Sequence, residues 1–321
     1  MDLLRLAIAC LAWPLALGSL LAGVLAQGGR WSARLDVLTH FAPIWLAAGL
    51  LALGLALAGP RAGRPALMAV CVLAALAAGL LVAPELLSRG RDPRAAADAP
   101  GRLKIVQFNA WGQNAGAEAA AAWILAQDAD LVVLQEPGRV KPRLVAGGYI
   151  AQCEDCGAVI LSRRPALRRY AEPPSGDLPG FIAWATFDDP AGEYTVVAAH
   201  RYWPVRLGRS KDQTARLDGV ISALPRARMI VAGDFNSTPW SFARRREDRT
   251  WGLVRRTRAL FTWPAARRSH NRLPAPFPWL PIDHVYAGEG WATVSVERGP
   301  DLGSDHYPVV VTLARRLPPA R

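Results

Sequence analysis

The sequence predicts an α/β protein: a sandwich of two sheets with helices on its outer faces, preceded by three apolar helices long enough to cross a membrane. Three observations lead there. The N-terminal part carries long apolar stretches with no charged side chain. The remainder alternates short β-rich runs with helical segments. Polar side chains recur where those runs stop, the place where α/β sheets put their sites.

The 321-residue chain is 51% hydrophobic with a mean hydropathy of +0.12, high for a purely soluble protein. Segments 6–26, 41–59 and 66–83 hold the excess, each 18 to 21 residues without a charge. That length lets a helix cross a hydrocarbon layer about 30 Å thick. A cleaved signal peptide is the alternative for the first stretch, with "VLA" ahead of Gln27 resembling a cleavage site. Its apolar region would normally be only about 7–15 residues long. Trp31, Trp45, Arg61 and Arg64 suit interfacial anchoring. Arg5, Arg61 and Arg64 fall on one side and Arg30, Arg34, Arg89, Arg91 and Arg94 on the other. This imbalance gives a slight preference for a cytoplasmic C-terminal part.

Residues 1–88 thus read as a membrane anchor and 89–102, rich in Arg, Ala, Pro and Asp, as a solvated linker. From 103 to 315 nine strands follow: "LKIVQFN", "DLVVLQE", "GAVILS", "FIAWATF", "YTVVAA", "RMIVAGDF", "PIDHVYA", "WATVSVE" and "YPVVVTL". "AGAEAAAAWILAQ" is a helix by propensity. Ser210 and Gln213 have capping-box spacing ahead of a second helix, "TARLDGVISAL". Residues 316–321 form a tail. Cys10 and Cys71 lie within spans; "CEDC", with Cys153 and Cys156, is a disulfide, a metal half-site or two unpaired thiols.

From residue 101 onward there are 30 basic against 21 acidic side chains, +9 of the chain's +12. This surplus favours anionic partners such as phosphodiesters, nucleic acid or acidic lipid. A composition rich in Ala, Arg, Gly and Pro would also produce it without any function. "ARRREDRTW" and "VRRTRAL" concentrate the charge and could lie along a membrane surface or along a substrate.

Asn109, Glu136, His200, Asp234, Asn236, Asp283, Asp305 and His306 sit at strand ends. One such residue is only a polar cap, but the whole set is a kit. Carboxylates with amide and imidazole partners can hold Mg²⁺ or Mn²⁺ against a phosphate. No Gly-rich phosphate loop, GxSxG elbow or HExxH motif is present. Water attack on a phosphoester remains.

In the order "QFNAW", "LQE", "AAHRYWP", "GDFNSTPW", "PIDHVY", "SDHYPVV", residues 103 to 315 resemble the endonuclease/exonuclease/phosphatase superfamily, with its DNase I-like four-layer α/β/β/α sandwich. The hydrophobic segments ahead of the domain are similar to those of bacterial membrane-anchored members. The resemblance implies metal binding by Glu136, with Asn109 as a further ligand or phosphate contact and Asp305 as a second carboxylate. It implies that His200 contacts the scissile phosphate or protonates the leaving group, that Asp234 orients or deprotonates the water, and that Asn236 holds a phosphate oxygen. His306 and Asp283 become a His–Asp dyad, and His284 a bystander. The expected cofactor is Mg²⁺ or Mn²⁺. The expected partners are the lipid bilayer and an anionic phosphate-containing substrate, nucleic acid or phospholipid. The resemblance also implies a bacterial inner-membrane location with a periplasmic catalytic domain. A catalytically silent, membrane-tethered binding protein for anionic ligands is the rival reading.

Two departures stand out. Abasic-site endonucleases carry an aspartate two residues after the motif asparagine, where this chain has Trp111. The acidic partner of His200 has no match. Locally, Asp234 and Asn236 face one side of their strand end and Phe235 the core. "STPW" then reads as a helix start with Ser237 or Thr238 as cap and Pro239 in the first turn, adding positive potential for an anion. Trp203, Trp240, Trp251 and Trp263 either form an apolar rim for lipid or bases, or pack in the core.

Overall fold

The computed structural model describes residues 3–88, 90, 92–154, 156–174, 180–265 and 276–316. Arg89, Arg91 and the tail from 317 lie outside them. The chain forms two compact units, one of residues 1–88 with 237–247 and the other of 89–236 with 248–321.

In the first unit, helices α1 (Leu3–Gln27), α2 (Ala33–Thr39), α3 (Ala42–Ala58) and α4 (Arg64–Leu87) pack together. α1 and α4 are each long and apolar enough to cross a membrane; α2 and α3, bent by 56°, count as a third only if taken as one span. Small residues face inward, Ala12, Ala16, Gly23, Gly49, Ala52, Ala56, Ala74 and Ala78 among them. A Cβ on Gly23 would sit 3.1 Å from that of Ala77, so close approach depends on the glycine. Leu11, Leu21, Leu50, Leu57, Leu73 and Leu80 point outward and are exposed. A water-soluble bundle has the reverse arrangement.

The expected helix at "STPW" begins later, as α8 (Phe242–Trp251). Pro239 and Trp240 form a turn. The Thr238 hydroxyl lies 2.8 Å from His40 Nδ1 instead of capping. Ser241 Oγ accepts the Arg244 N–H at 3.0 Å, and the Asp36 carboxylate accepts those of Phe242 and Ala243 at 2.8 and 2.9 Å. The first N–H groups are therefore committed to an aspartate, and the expected contribution to anion binding is lost.

In the second unit, β1 (Arg102–Asn109), β2 (Leu131–Gln135), β3 (Ile150–Ala151), β4 (Ala158–Ser162), β11 (Trp291–Arg298) and β12 (Val309–Arg315) form one sheet in the order β11-β12-β1-β2-β4-β3. The second sheet joins β5 (Arg168–Ala171), β6 (Ile182–Phe187), β7 (Tyr194–His200), β8 (Met229–Asp234), β9 (Val254–Arg255) and β10 (Asp283–Ala287) in the order β5-β6-β7-β8-β10-β9. The nine expected strands are all present. β3, β5 and β9 are additional, too short or too exposed to leave an apolar signature.

Period-two alternation builds the layers. Leu103, Ile105, Val133, Val196, Ala232 and Val285 face the inter-sheet core. The opposite phase, Val106, Phe108, Val132 and Leu134, packs on α5 (Ala117–Ala126) and α6 (Val140–Ala146). Val197, Val231 and Ile182 pack on α7 (Leu207–Ala223). The result is a four-layer α/β/β/α sandwich. α7 starts ahead of Ser210, whose N–H bonds Arg206 O inside the helix, so the expected capping box is not one. Gln213 turns its Oε1 to the Tyr202 N–H at 2.8 Å instead. Cys153 and Cys156 are disulfide-bonded.

Candidate active site

The phase that fills the core also aims the polar residues. Counting along each strand, Asn109 follows Leu103 and Ile105, His200 follows Val196 and Ala198, Asp234 follows Ile230 and Ala232, and Asp283 precedes Val285. Each continues an inward-facing series past its last apolar member, so the polar ends converge between the sheets. Register brings them level: His200 pairs with Asp234 across parallel β7 and β8, and Asp234 with Asp283 across antiparallel β8 and β10. The loop ahead of β12 adds Asp305 and His306. Its Ser304 hydroxyl donates to Asn109 O at 2.7 Å and accepts the His306 N–H at 3.1 Å.

Gly233 lets β8 lie this close to β7, since a Cβ there would meet Ala199 O at 1.9 Å. Where the strands end, Trp111, Glu136 and Asn236 adopt left-handed backbone at φ 52°, 46° and 48°. Such conformations cost non-glycine residues about 1–3 kcal/mol each and cluster at functional sites.

A dyad lies at the centre, with His306 Nδ1 2.8 Å from Asp283 Oδ2. The same carboxylate accepts from Thr262 Oγ1 at 2.6 Å and from Gln107 Nε2 at 2.9 Å. His306 Nε2 lies 3.6 Å from Asp234 Oδ2. Asn236 N–H donates to Asp234 Oδ1 at 2.8 Å, while the Asn236 amide donates to Arg201 O at 2.8 Å and to Asp234 Oδ2 at 3.3 Å. Asn236 thus holds Asp234 through its backbone N–H and its side-chain amide, which it shares with Arg201 O. The Asn109 amide bridges Asp234 Oδ2 at 3.0 Å and Glu136 Oε1 at 3.2 Å. His200 Nε2 is 3.8 Å from both Glu136 Oε1 and Asp234 Oδ2, which supplies the acidic neighbours that sequence did not identify.

Burial sets the charges. It pushes the Asp234 carboxyl up to about 7, with the Asp283 charge adding to the effect and His306 opposing it. Burial works against the charged form of His306 too, yet Asp283 and Asp234 outweigh it and hold the ring up at about 10. His200 is pushed down by burial, against the pull of Glu136. One imidazole is a cation at neutral pH and the other is neutral.

Single ligand atoms of Asp234, Asp283 and His306 lie within 4.8 Å of one another. Asp283 is already saturated by Thr262, Gln107 and His306, which makes this trio a proton-handling group in preference to a metal cage. Glu136 and Asp305 offer the hard carboxylate oxygens that Mg²⁺ and Mn²⁺ take, whereas Asn109 Oδ1 accepts the Trp111 N–H at 3.1 Å and its NH₂ is turned to Glu136 and Asp234. Glu136 faces the opening with its side chain 41% exposed, and Asp305 Oδ2 accepts the Trp263 indole N–H at 3.2 Å. The donor set fits a divalent cation.

Sequence reasoning missed Gln107, Gln135, Thr262 and Ser304, and it named Trp263 without its bond to Asp305. Gln107 and Gln135 were findable, being polar residues at core-facing positions of otherwise apolar strands. His284 is buried against Phe235 and Tyr286 on the outer face, a bystander as expected. Phe235 is buried in that cluster with Trp251.

The endonuclease/exonuclease/phosphatase family model matches residues 106–306, from β1 through His306. The chain belongs to that family. No curated protein matches it. Among solved structures it is similar to a family member from Beutenbergia cavernae, at 21% identity over 67% of this chain and 72% of that one, with a TM-score of 0.53. A family member from Bacteroides vulgatus matches at 18% identity over 67% of this chain and 100% of its own, TM-score 0.53. The human Nocturnin catalytic domain, solved with a bound sulfate anion, matches at 14% identity over 70% and 96%, TM-score 0.51. At these identities the likeness is one of fold. The family acts hydrolytically on phosphodiester bonds, and the chain carries its fold.

Proposed function

We propose that the protein is a membrane-anchored, divalent-metal-dependent phosphoesterase. The observation that carries this reading is the hydrogen-bonded His306–Asp283 dyad facing Asp234 at 3.6 Å, with Glu136, Asn109 and His200 gathered around them. Glu136 and Asp305 would hold Mg²⁺ or Mn²⁺, which would supply Lewis-acid polarisation of the phosphate when bound.

The chain's own residues divide the remaining work. Asp234, poised near neutrality, accepts the proton of the attacking water. Asn236 and Asn109 keep its carboxylate aimed. His306, a cation stabilised by Asp283, faces the charge that grows on the phosphoryl oxygens. His200, neutral and nearer the opening, contacts the phosphate or the leaving oxygen. The oxyanion in the Nocturnin structure is in keeping with a fold that binds tetrahedral anions.

Inward alanines and glycines with outward leucines support a bundle whose outer solvent is lipid. The Cys153–Cys156 disulfide supports an oxidising compartment for the catalytic unit, in line with a periplasmic location. The silent-binder reading is disfavoured because buried carboxylates are costly to keep without a use.

The test is hydrolysis of bis(4-nitrophenyl) phosphate by the full chain in detergent. Activity should depend on added Mg²⁺ or Mn²⁺ and vanish with a chelator. Glu136→Gln should abolish it at ordinary metal concentrations. Turnover that is indifferent to chelator and to this substitution refutes the metal assignment.

A further inference from the structure

β8 stops at Asp234, and the chain passes from the second unit to the first between Asn236 and Ser237. Ser237 and Thr238 belong to neither strand nor helix, yet both are buried. Buried irregular backbone needs partners of its own. For Thr238 they come from the end of α2, within the bundle. His40 Nδ1 accepts the Thr238 N–H at 3.2 Å and lies 2.8 Å from its hydroxyl. Four residues back, on the same side of the helix, Asp36 accepts the N–H groups of Phe242 and Ala243 at 2.8 and 2.9 Å. Gly29 packs closely on this junction, where a Cβ would lie 2.8 Å from Asp36 Cα and 2.9 Å from the Phe242 ring.

Alanines and leucines are enough for an apolar bundle to cover a loop. Asp36 and His40 are instead 5% and 4% exposed, and burying such groups is costly unless they are bonded. Both direct their side chains at residues 238–243. Hydrogen bonds fix direction as well as proximity, which apolar contact does not.

The residue that needs this direction stands two positions upstream. Asn236 is left-handed at φ 48°, a backbone that persists in a non-glycine residue only where its flanks over-determine it. β8 supplies one flank through its pairing with β7 and β10. The bonds at Thr238 supply the other. Between these flanks the Asn236 N–H and amide keep Asp234 Oδ1 and Oδ2 on aim.

We propose that His40 and Asp36 of the apolar bundle are positioning residues for the reaction: they fix the chain downstream of Asn236, so that the aim of Asp234 depends on the bundle being folded. The proposal rests on the phosphoesterase reading of the site. Neither residue touches the reacting atoms. The N-terminal helices are then part of the catalytic apparatus and not only a tether.

The experiment measures kcat and KM of the full chain in detergent, on bis(4-nitrophenyl) phosphate with Mg²⁺, for the parent, His40→Leu, His40→Asn and Thr238→Val. His40→Leu should lower kcat about 10- to 100-fold, the scale of a small misplacement of a reacting group, and leave KM nearly unchanged. His40→Asn, whose Oδ1 can stand where Nδ1 stands, should recover most of that loss. Thr238→Val keeps the shape, removes only the hydroxyl and should lower kcat about 10-fold. Hydrogen exchange at the Asn236 N–H should be faster in His40→Leu than in the parent. If His40→Leu does not fold, Thr238→Val decides by itself. Folded variants whose kcat stays within about twofold of the parent overturn the proposal while the parent's turnover upholds the phosphoesterase reading. A loss as large in His40→Asn as in His40→Leu overturns it too, because the bulk of the ring and not its acceptor would then matter. A parent that hydrolyses nothing refutes the phosphoesterase reading, and the positioning role falls with it.

Discussion

His306 and Asp234 show how one buried pocket favours the protonated form of two groups for different reasons. Both sit out of water, and both are held above their ordinary values, His306 by two carboxylates and Asp234 by desolvation. For His306 the folded value of about 10 exceeds the ordinary 6.5, so its stabilising contribution is complete below pH 6.5 and is lost as pH rises through about 10. The stability difference between the metal-free protein and His306→Gln should therefore shrink across that window, read by thermal unfolding in detergent at stepped pH. A constant difference would mean the imidazolium is not held by Asp283. Asp283→Asn removes the charge that orients His306 and stabilises its protonated form. It should lower kcat by about 10²–10⁴-fold, the usual scale for a general acid–base group, with an unchanged circular dichroism spectrum. Sequence placed these residues at or beside strand ends. It did not show that the Asn236 amide is consumed by Asp234 and Arg201, because that follows from φ 48° at Asn236, a backbone choice with no linear signature.

Strands were more legible than helix starts. Nine strands could be read because alternation over five or more residues is a strong signal. The Ser210 box and the "STPW" cap both misplaced a helix start, since a Ser or Thr at cap spacing can equally bond elsewhere. Thr238 bonds His40, and Ser210 lies inside α7. Removing the real cap, Asp36→Ala, should destabilise the start of α8 by about 1–3 kcal/mol by leaving two N–H groups unmet. Faster hydrogen exchange at Phe242 and Ala243 would report it, and unchanged exchange would count against the capping role. In β8, Gly233→Ala should cost about 3 kcal/mol or more, because the new methyl would collide with a backbone carbonyl that cannot step aside. A variant with parent-like stability would show that β7 and β8 can separate freely.

At the scale of the whole molecule, hydropathy separated an apolar N-terminal unit from an α/β unit, and the linear motifs led to the family. A reporter fused at the C-terminus should be active on the periplasmic side only, consistent with the disulfide. Cytoplasmic reporter activity would favour the side hinted at by the arginine count. The four tryptophans considered from sequence divide: Trp240 and Trp251 are buried, whereas Trp203 and Trp263 flank the site beside Trp279. Composition cannot make that division, because the same indole serves a core or a rim.

By itself the sequence determined which side chains could do chemistry and which face of each strand they occupy, since alternation and strand-end position are local properties. The tertiary structure alone decided who partners whom: Asp283 with Gln107, Thr262 and His306, His200 beside Glu136, and Trp263 with Asp305. Those contacts join segments distant in the chain, each by more than 20 residues. They depend on sheet order, register and left-handed turns that form only when the whole sandwich packs.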